Sequence, residues 1–397
     1  MTQKRYVSLI IILGLLTAIS PFSIDMYLPG FRDIAASLHT TVATVSLSLS
    51  SYFVGISIGQ LLYGPLLDRH GRKRPLYFGL LLYILSSAAC TQVHHINSLI
   101  LLRFIQALGG CGATVAAMAM VRDIFGPKES AKVFSLLLLV IGASPMLAPT
   151  AGSYIISLFG WRAVFIVLLI MAVLITLLTI IGLPESYQPD ESFSLRPKPI
   201  LKNFLSVLGE RAFLTYSISG SLAFAGLFAY VSGSPIVFMD VYHVDKKTYG
   251  WIFAGLSIGF IGLSQFNTLL LKKYSSEQII RVALLAQVAI SLLFWAGNVA
   301  GWWGLPQTLF FLFFLLGSIG FCNPNAAALA LAPFSRNAGI ASALLGAMQM
   351  GTGALASVAV SVFSNGTATP MIGVMAVSSV LALLVLVLAR GSLTNRI

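Results

Sequence analysis

The chain has 397 residues, of which 57% are hydrophobic and 9% charged, with 24 Lys and Arg against 12 Asp and Glu. A soluble globular domain is about 45–50% apolar and about 25% charged, so most of this surface must face lipid rather than water. The net charge of +12 would suggest a nucleic-acid partner in a soluble protein. Here it sits in short loops between apolar runs with no recognition motif beside it, which excludes that class.

One membrane span needs about 20 mostly apolar residues, and the pattern predicts twelve. In chain order they are 7–28, 43–66, 76–93, 98–121, 131–158 and 161–183, then 212–238, 248–271, 278–299, 304–332, 338–362 and 369–390. The expected fold is an all-α membrane protein of twelve transmembrane helices in two pseudo-symmetric six-helix halves, 1–184 and 212–397. The 185–211 linker, with Glu185, Pro189, Asp190, Glu191, Arg196, Pro197, Lys198 and Pro199, cannot span. It reads as polar and cytoplasmic, with a short surface helix. Lys4-Arg5 before an apolar stretch mimics a signal peptide. That stretch reaches about Leu28 without a small-residue cleavage pattern and reads as a retained first span.

On this topology 19 Lys and Arg fall on one side and four, Arg32, Arg162, Lys246 and Lys247, on the other. Such a bias places both termini in the cytoplasm. Cys90, Cys111 and Cys322 lie within apolar runs and read as small buried hydrophobes, with no disulfide framework.

A charge inside a span is costly and marks a functional candidate. Asp25 is the sole acid within a run and Arg103 the sole base. Both fall roughly 5–10 Å below the outer surface at 1.5 Å rise per residue, so the two are expected to pair. Gln106, three residues after Arg103, shares its face. Burial favours the neutral carboxyl and the guanidinium favours the ionised one. If the pair parts during a conformational change, Asp25 takes up a proton, and a cationic or polar substrate competes for the same place. The structural alternative is that Asp25 caps a kinked helix end before Pro29 while Arg103 snorkels to the surface.

The densest charge cluster joins the second and third spans, Gly64-Pro65-Leu66-Leu67-Asp68-Arg69-His70-Gly71-Arg72-Lys73-Arg74-Pro75. An acid at a helix C-terminus opposes the dipole, so Asp68 needs a partner. Arg72 is the near one, and Asp123, at the end of span 4, is a second acceptor for it. Span 5 holds Gly142, Pro145, Ala148, Pro149 and Gly152, which bend a helix and thin its side chains. In span 10, Asn323 and Asn325 flank Pro324, and Gln349 lies in span 11. Such amides either bond another helix or face a cavity. Phe311 stands where the first half has Arg103, so any proton machinery belongs to the first half.

The halves are internally related. Residues 52–59 and 252–259 share five identities in eight, both with Gly-x-x-x-Gly, a spacing that lets helix backbones approach closely. Six spans per half makes this a parallel repeat.

The Gly64–Arg74 loop resembles the loop between helices 2 and 3 of the major facilitator superfamily of secondary transporters. With Asp25-Met26-Tyr27-Leu28-Pro29, Arg103 and Gln106, Val121-Arg122-Asp123, Ala148-Pro149 with Gly152, Gly160-Trp161-Arg162, Tyr230 to Pro235 and Asn323-Pro324-Asn325, the chain resembles the Bcr/CflA group of drug/proton antiporters. The resemblance implies a multi-pass, monomeric protein of the bacterial inner membrane, with no cofactor and a proton gradient as energy source. It implies proton influx coupled to export of small amphipathic molecules by alternating access. It makes Gly64, Asp68, Gly71, Arg72, Arg122 and Asp123 a gate that latches the outward-open state. The span 5 residues resemble the antiporter motif, with Ala148 in place of its first Gly. Asp25, Tyr27, Arg103, Gln106, Tyr230, Asn323, Asn325 and Gln349 become the expected substrate residues. The alternatives are an exporter of a single metabolite, such as a siderophore, amino acid or sugar, and a non-transporting receptor. No nucleophile–base pair, metal cluster or phosphate loop points to an enzyme.

Overall fold

The computed structural model describes residues 3–189, 196–334 and 337–393. Asp190 and Glu191 of the linker, and Arg336 and Arg396 among the 19 same-side cations, lie outside them. The described residues are helical and hold no strand. In lipid every backbone amide must be satisfied within its own segment, and a helix does this.

The first unit comprises Met1–Thr41 with Ser51–Ile200. Helix α1 (Gln3–Asp25) stops three residues earlier than the apolar run predicts. A 3₁₀ turn, Leu28–Gly30, follows, and then the short α2 (Phe31–Ser37), which lies between the first two predicted spans. Pro29 offers no amide hydrogen to continue α1, and Phe31 and Ile34 of α2 are buried. Then come α3 (Val42–His70), α4 (Lys73–Cys90), α5 (Ile96–Ile124), α6 (Pro127–Phe159) and α7 (Arg162–Gly182). Helix α4 begins three residues before the predicted span, taking Lys73 and Arg74 into its first turn. Helix α1 packs on α5, α6 and α7, and α4 on α5 and α7.

The linker helix α8 (Pro197–Leu208) lies within the segment expected to be polar. The second unit comprises Val42–Ser50 with Leu201–Ile397. Its helices are α9 (Arg211–Pro235), continued by a π turn Ile236–Val241, then α10 (Lys246–Leu270), α11 (Ser276–Val299), α12 (Leu305–Leu331), α13 (Ala338–Val362) and α14 (Thr369–Leu393). Helix α9 is the centre of this unit and packs against α12, α13 and α14. Among the described residues twelve helices have 18 residues or more, and eleven spans are long and apolar enough to cross a bilayer on their own. The twelfth is α4, whose Lys73 and Arg74 lower its hydropathy. The protein is a multi-pass membrane protein.

The repeated Gly-x-x-x-Gly differs between its two copies. A side chain at Gly55 would strike the Phe104 carbonyl, so α3 approaches α5 closely there. Gly255, its counterpart, faces open space, and only Gly259 sits against a neighbour, Phe313. The expected packing surface is therefore complete in the first copy alone.

Candidate functional site

Four helices of the first unit converge on Arg103, which is fully buried. Polar residues recur at helical spacing on three of them: Ser20 and Ser23 on α1, Tyr83 and Ser87 on α4, Arg103 and Gln106 on α5. Tyr52 comes from α3, and Tyr27 from the turn after α1. The guanidinium lies between the rings of Tyr27 and Tyr52, 4.4 and 4.3 Å from their centroids. Its Nη2 donates to the Ser23 carbonyl at 2.6 Å and its Nη1 to Gln106 Oε1 at 2.5 Å. Gln106 Nε2 donates to Ser87 Oγ at 2.7 Å, and Ser87 Oγ to the Tyr83 carbonyl at 2.7 Å. The Ser23 hydroxyl donates to the Ile19 carbonyl, which leaves Ser23 Oγ to accept from the Tyr83 hydroxyl at 2.5 Å. The Arg103 Nε, buried as well, has no acceptor among the described residues, so the network is not fully satisfied.

Asp25 closes α1 and is buried. The expected ion pair with Arg103 does not form: among the described residues no hydrogen bond or salt bridge joins them. Equal depth did not give equal azimuth. Ser23 occupies the face of α1 toward Arg103, and Asp25 is two residues, about 200°, further round the helix. The snorkelling alternative fails too, because Arg103 is enclosed. The residue after Asp25, Met26, instead lies against α6. A side chain at Gly152 would collide with the Met26 carbonyl, so the turn after Asp25 lies directly on the span 5 motif. Ala148 and Pro149 are buried one turn before it, while Gly142 and Pro145 are only half-buried.

At the other end of the unit three of the residues expected to form a gate, Asp68, Arg72 and Asp123, meet. Arg72 donates from Nη1 to Asp68 Oδ1 at 2.9 Å and from Nε to Asp123 Oδ2 at 2.7 Å. Burial pulls its pKa down, but the bonds to Asp123 and Asp68 outweigh it and hold the guanidinium above the ordinary arginine value. Gly71 has φ +78°, a conformation that favours glycine. Arg122 is exposed and lies outside this network, and Gly64 has open space around its Cα. The sequence reading missed three contributors from the segment after α7, namely Glu185, Ser186 and Tyr187.

In the second unit the candidate amides bond to neighbouring helices. Asn325 donates to Asn267 on α10 at 2.7 Å, and Gln349 on α13 donates to Asn323 at 2.8 Å. Tyr230 is buried beside Phe253, with ring centroids 5.2 Å apart. Two further amides went unnoticed in the sequence. Gln287, fully buried on α11, bonds the Ala223 carbonyl and Ser379, and Asn267 receives Asn325. The rule that singled out Gln349, an amide within an apolar run, would have found both.

Buried polar networks at mid-helix, a charged cluster at one set of helix ends and twelve helices of membrane length among the described residues fit a helical membrane transporter. Residues 13–357 match the model of the Major Facilitator Superfamily, and the chain belongs to that family. It is 32% identical over 396 residues to a bicyclomycin resistance protein homolog of Haemophilus influenzae, covering 99% of this chain and 98% of the relative. It is 33% identical to the uncharacterized MFS-type transporter YdgK of Bacillus subtilis, covering 96% and 94%. It is 28% identical to the multidrug resistance protein MdtL of Klebsiella pneumoniae, covering 94% and 93%. Among solved structures a D-xylose-proton symporter shares the fold, with TM-score 0.75, 14% identity and coverage of 96% and 97%.

Proposed function

We propose that the protein is a proton-coupled exporter of small amphipathic molecules, drugs among them, working by alternating access in the bacterial inner membrane as a monomer with cytoplasmic termini. The observation that carries this reading is Asp25, a buried carboxyl group with no counter-charge bonded to it, set where α1 breaks and rests on Gly152 of α6. Such a group can be neutralised by a proton or by the cationic part of a substrate. The two compete, and competition for one carboxylate is sufficient for exchange. Arg103, held between Tyr27 and Tyr52 and bonded to the carbonyl of Ser23, fixes the α1 backbone just before Asp25. Arg72, Asp68 and Asp123 would hold the cytoplasmic ends together in the outward-open state and release them as the cycle turns. The resistance proteins among the relatives support drugs as the substrate class, and the excess of cations on one set of loops supports the orientation.

The test is transport driven by an imposed pH gradient in proteoliposomes, with a panel of amphipathic cationic and neutral drugs, wild type beside Asp25→Asn. Coupled efflux is expected in the wild type and its loss in the variant. Full coupling in the variant would remove Asp25 from the mechanism. Transport of one metabolite alone, with no drug carried, would favour the dedicated exporter.

A further inference from the structure

The segment after α7 touches two members of the Asp68–Arg72–Asp123 cluster, Arg72 and Asp123. Glu185 Oε1 accepts from the Arg72 backbone amide at 2.8 Å, and Oε2 from the Lys73 amide at 3.1 Å. One carboxylate thus caps the first turn of α4, where the helix dipole favours negative charge. Ser186 Oγ donates to Asp123 Oδ2 at 3.0 Å, the oxygen that also receives Arg72 Nε. The Tyr187 ring covers the Arg72 guanidinium at 4.1 Å from its centroid. A side chain at Gly71 would come within 3.2 Å of the Glu185 carboxylate, so the glycine of the loop also makes room for this acid. The consequence for Arg72 is full enclosure: two carboxylates bond its guanidinium, a ring closes one face, and its own amide is tied to Glu185.

We propose that Glu185, Ser186 and Tyr187 form a strap that positions Arg72 for the gate, and that the opening of the cytoplasmic side requires this strap to let go. This inference rests on the gate reading given above. The three act through Arg72 and Asp123 and are positioning residues. Their place at the start of the linker gives the strap a mechanical sense. In sequence, Tyr187 opens the stretch that leads to the second unit.

The experiment uses the full chain in nanodiscs, with spin labels at Lys132→Cys on α6 and Lys272→Cys beyond α10. Both parent residues are exposed, and the three native cysteines are buried. The distance distribution between labels reports the inward-open fraction. Tyr187→Leu keeps bulk and removes the ring, Tyr187→Phe keeps the ring, and Ser186→Ala removes the bond to Asp123. Tyr187→Leu and Ser186→Ala are each expected to raise the ratio of inward-open to closed molecules by about two- to tenfold, the worth of one cation–π contact or hydrogen bond. Tyr187→Phe is expected to match the wild type, which a loss of folding stability alone would not reproduce. Asp68→Asn serves as the separate measure of the gate. If it shifts the ratio while Tyr187→Leu and Ser186→Ala do not, the strap is refuted and the gate stands. If none shifts it, both fall. If Tyr187→Leu and Ser186→Ala shift it and Asp68→Asn does not, the strap stands and Asp68 leaves the gate.

Discussion

Replacing Arg103 by lysine keeps the charge and discards the geometry. The guanidinium serves two acceptors on different helices, the Ser23 carbonyl and Gln106 Oε1, while lying flat between Tyr27 and Tyr52. A lysine ammonium is a compact point charge that cannot fork or stack. It can keep one acceptor at most from this position and loses the planar contact with both rings. One charge-assisted hydrogen bond is worth about 1.5–3 kcal/mol, and each buried cation–π contact about 1–2 kcal/mol. Polar contacts between membrane helices measure lower, about 0.6 kcal/mol on average. The net loss is therefore on the order of 2–4 kcal/mol. It is measured by unfolding in mixed micelles of dodecyl maltoside and sodium dodecyl sulfate, against wild type and Arg103→Met. The methionine variant removes a buried charge that has no carboxylate bonded to it, and so removes the cost of keeping that charge out of water. Arg103→Met is expected to unfold at higher detergent fraction than Arg103→Lys while losing coupled transport. A lysine variant within about 0.5 kcal/mol of wild type that still transports would refute the argument that the planar fork sets this site.

Two other outcomes follow from single contacts. Gly152→Ala places a methyl group against the Met26 carbonyl, a backbone atom that no rotamer change can move. It should cost on the order of 1–3 kcal/mol, the usual range for overpacking, and should displace the turn after Asp25, seen as lost drug efflux beside lowered thermal stability in detergent; unaltered efflux would separate α6 from Asp25. Asp245, the N-cap of α10, is held below its ordinary pKa, first by the Thr248 hydroxyl and then by the Thr248 amide. A depressed carboxylate stabilises the fold above its unfolded pKa of about 3.9 and loses that contribution as the pH falls through the folded value. Asp245→Asn should therefore flatten the fall in melting temperature below about pH 4 while leaving neutral-pH transport unchanged, and an identical acid profile in both proteins would count against the cap.

The bilayer made much of this protein legible from sequence. Lipid admits only segments that satisfy their own backbone amides, so runs of about 20 apolar residues had to be helices, and their number and order followed. The cluster at Arg72 was legible because an acid at a helix C-terminus opposes the dipole and needs a partner, and Arg72 is near Asp68 in sequence. What the sequence left undecided was rotation about each helix axis. Depth can be counted along a helix, but azimuth depends on which faces pack, and that emerges only when all neighbours are in place. Thus Asp25 and Arg103 shared a level and were expected to pair. The folded chain instead turned Ser23 and Tyr27 toward the guanidinium and set the break after Asp25 against Gly152. For the same reason Tyr52 and Tyr83 carried no mark in the sequence beyond being polar among apolar neighbours, and Glu185, over a hundred residues from Arg72, became its partner only through the packing of α4 on α7.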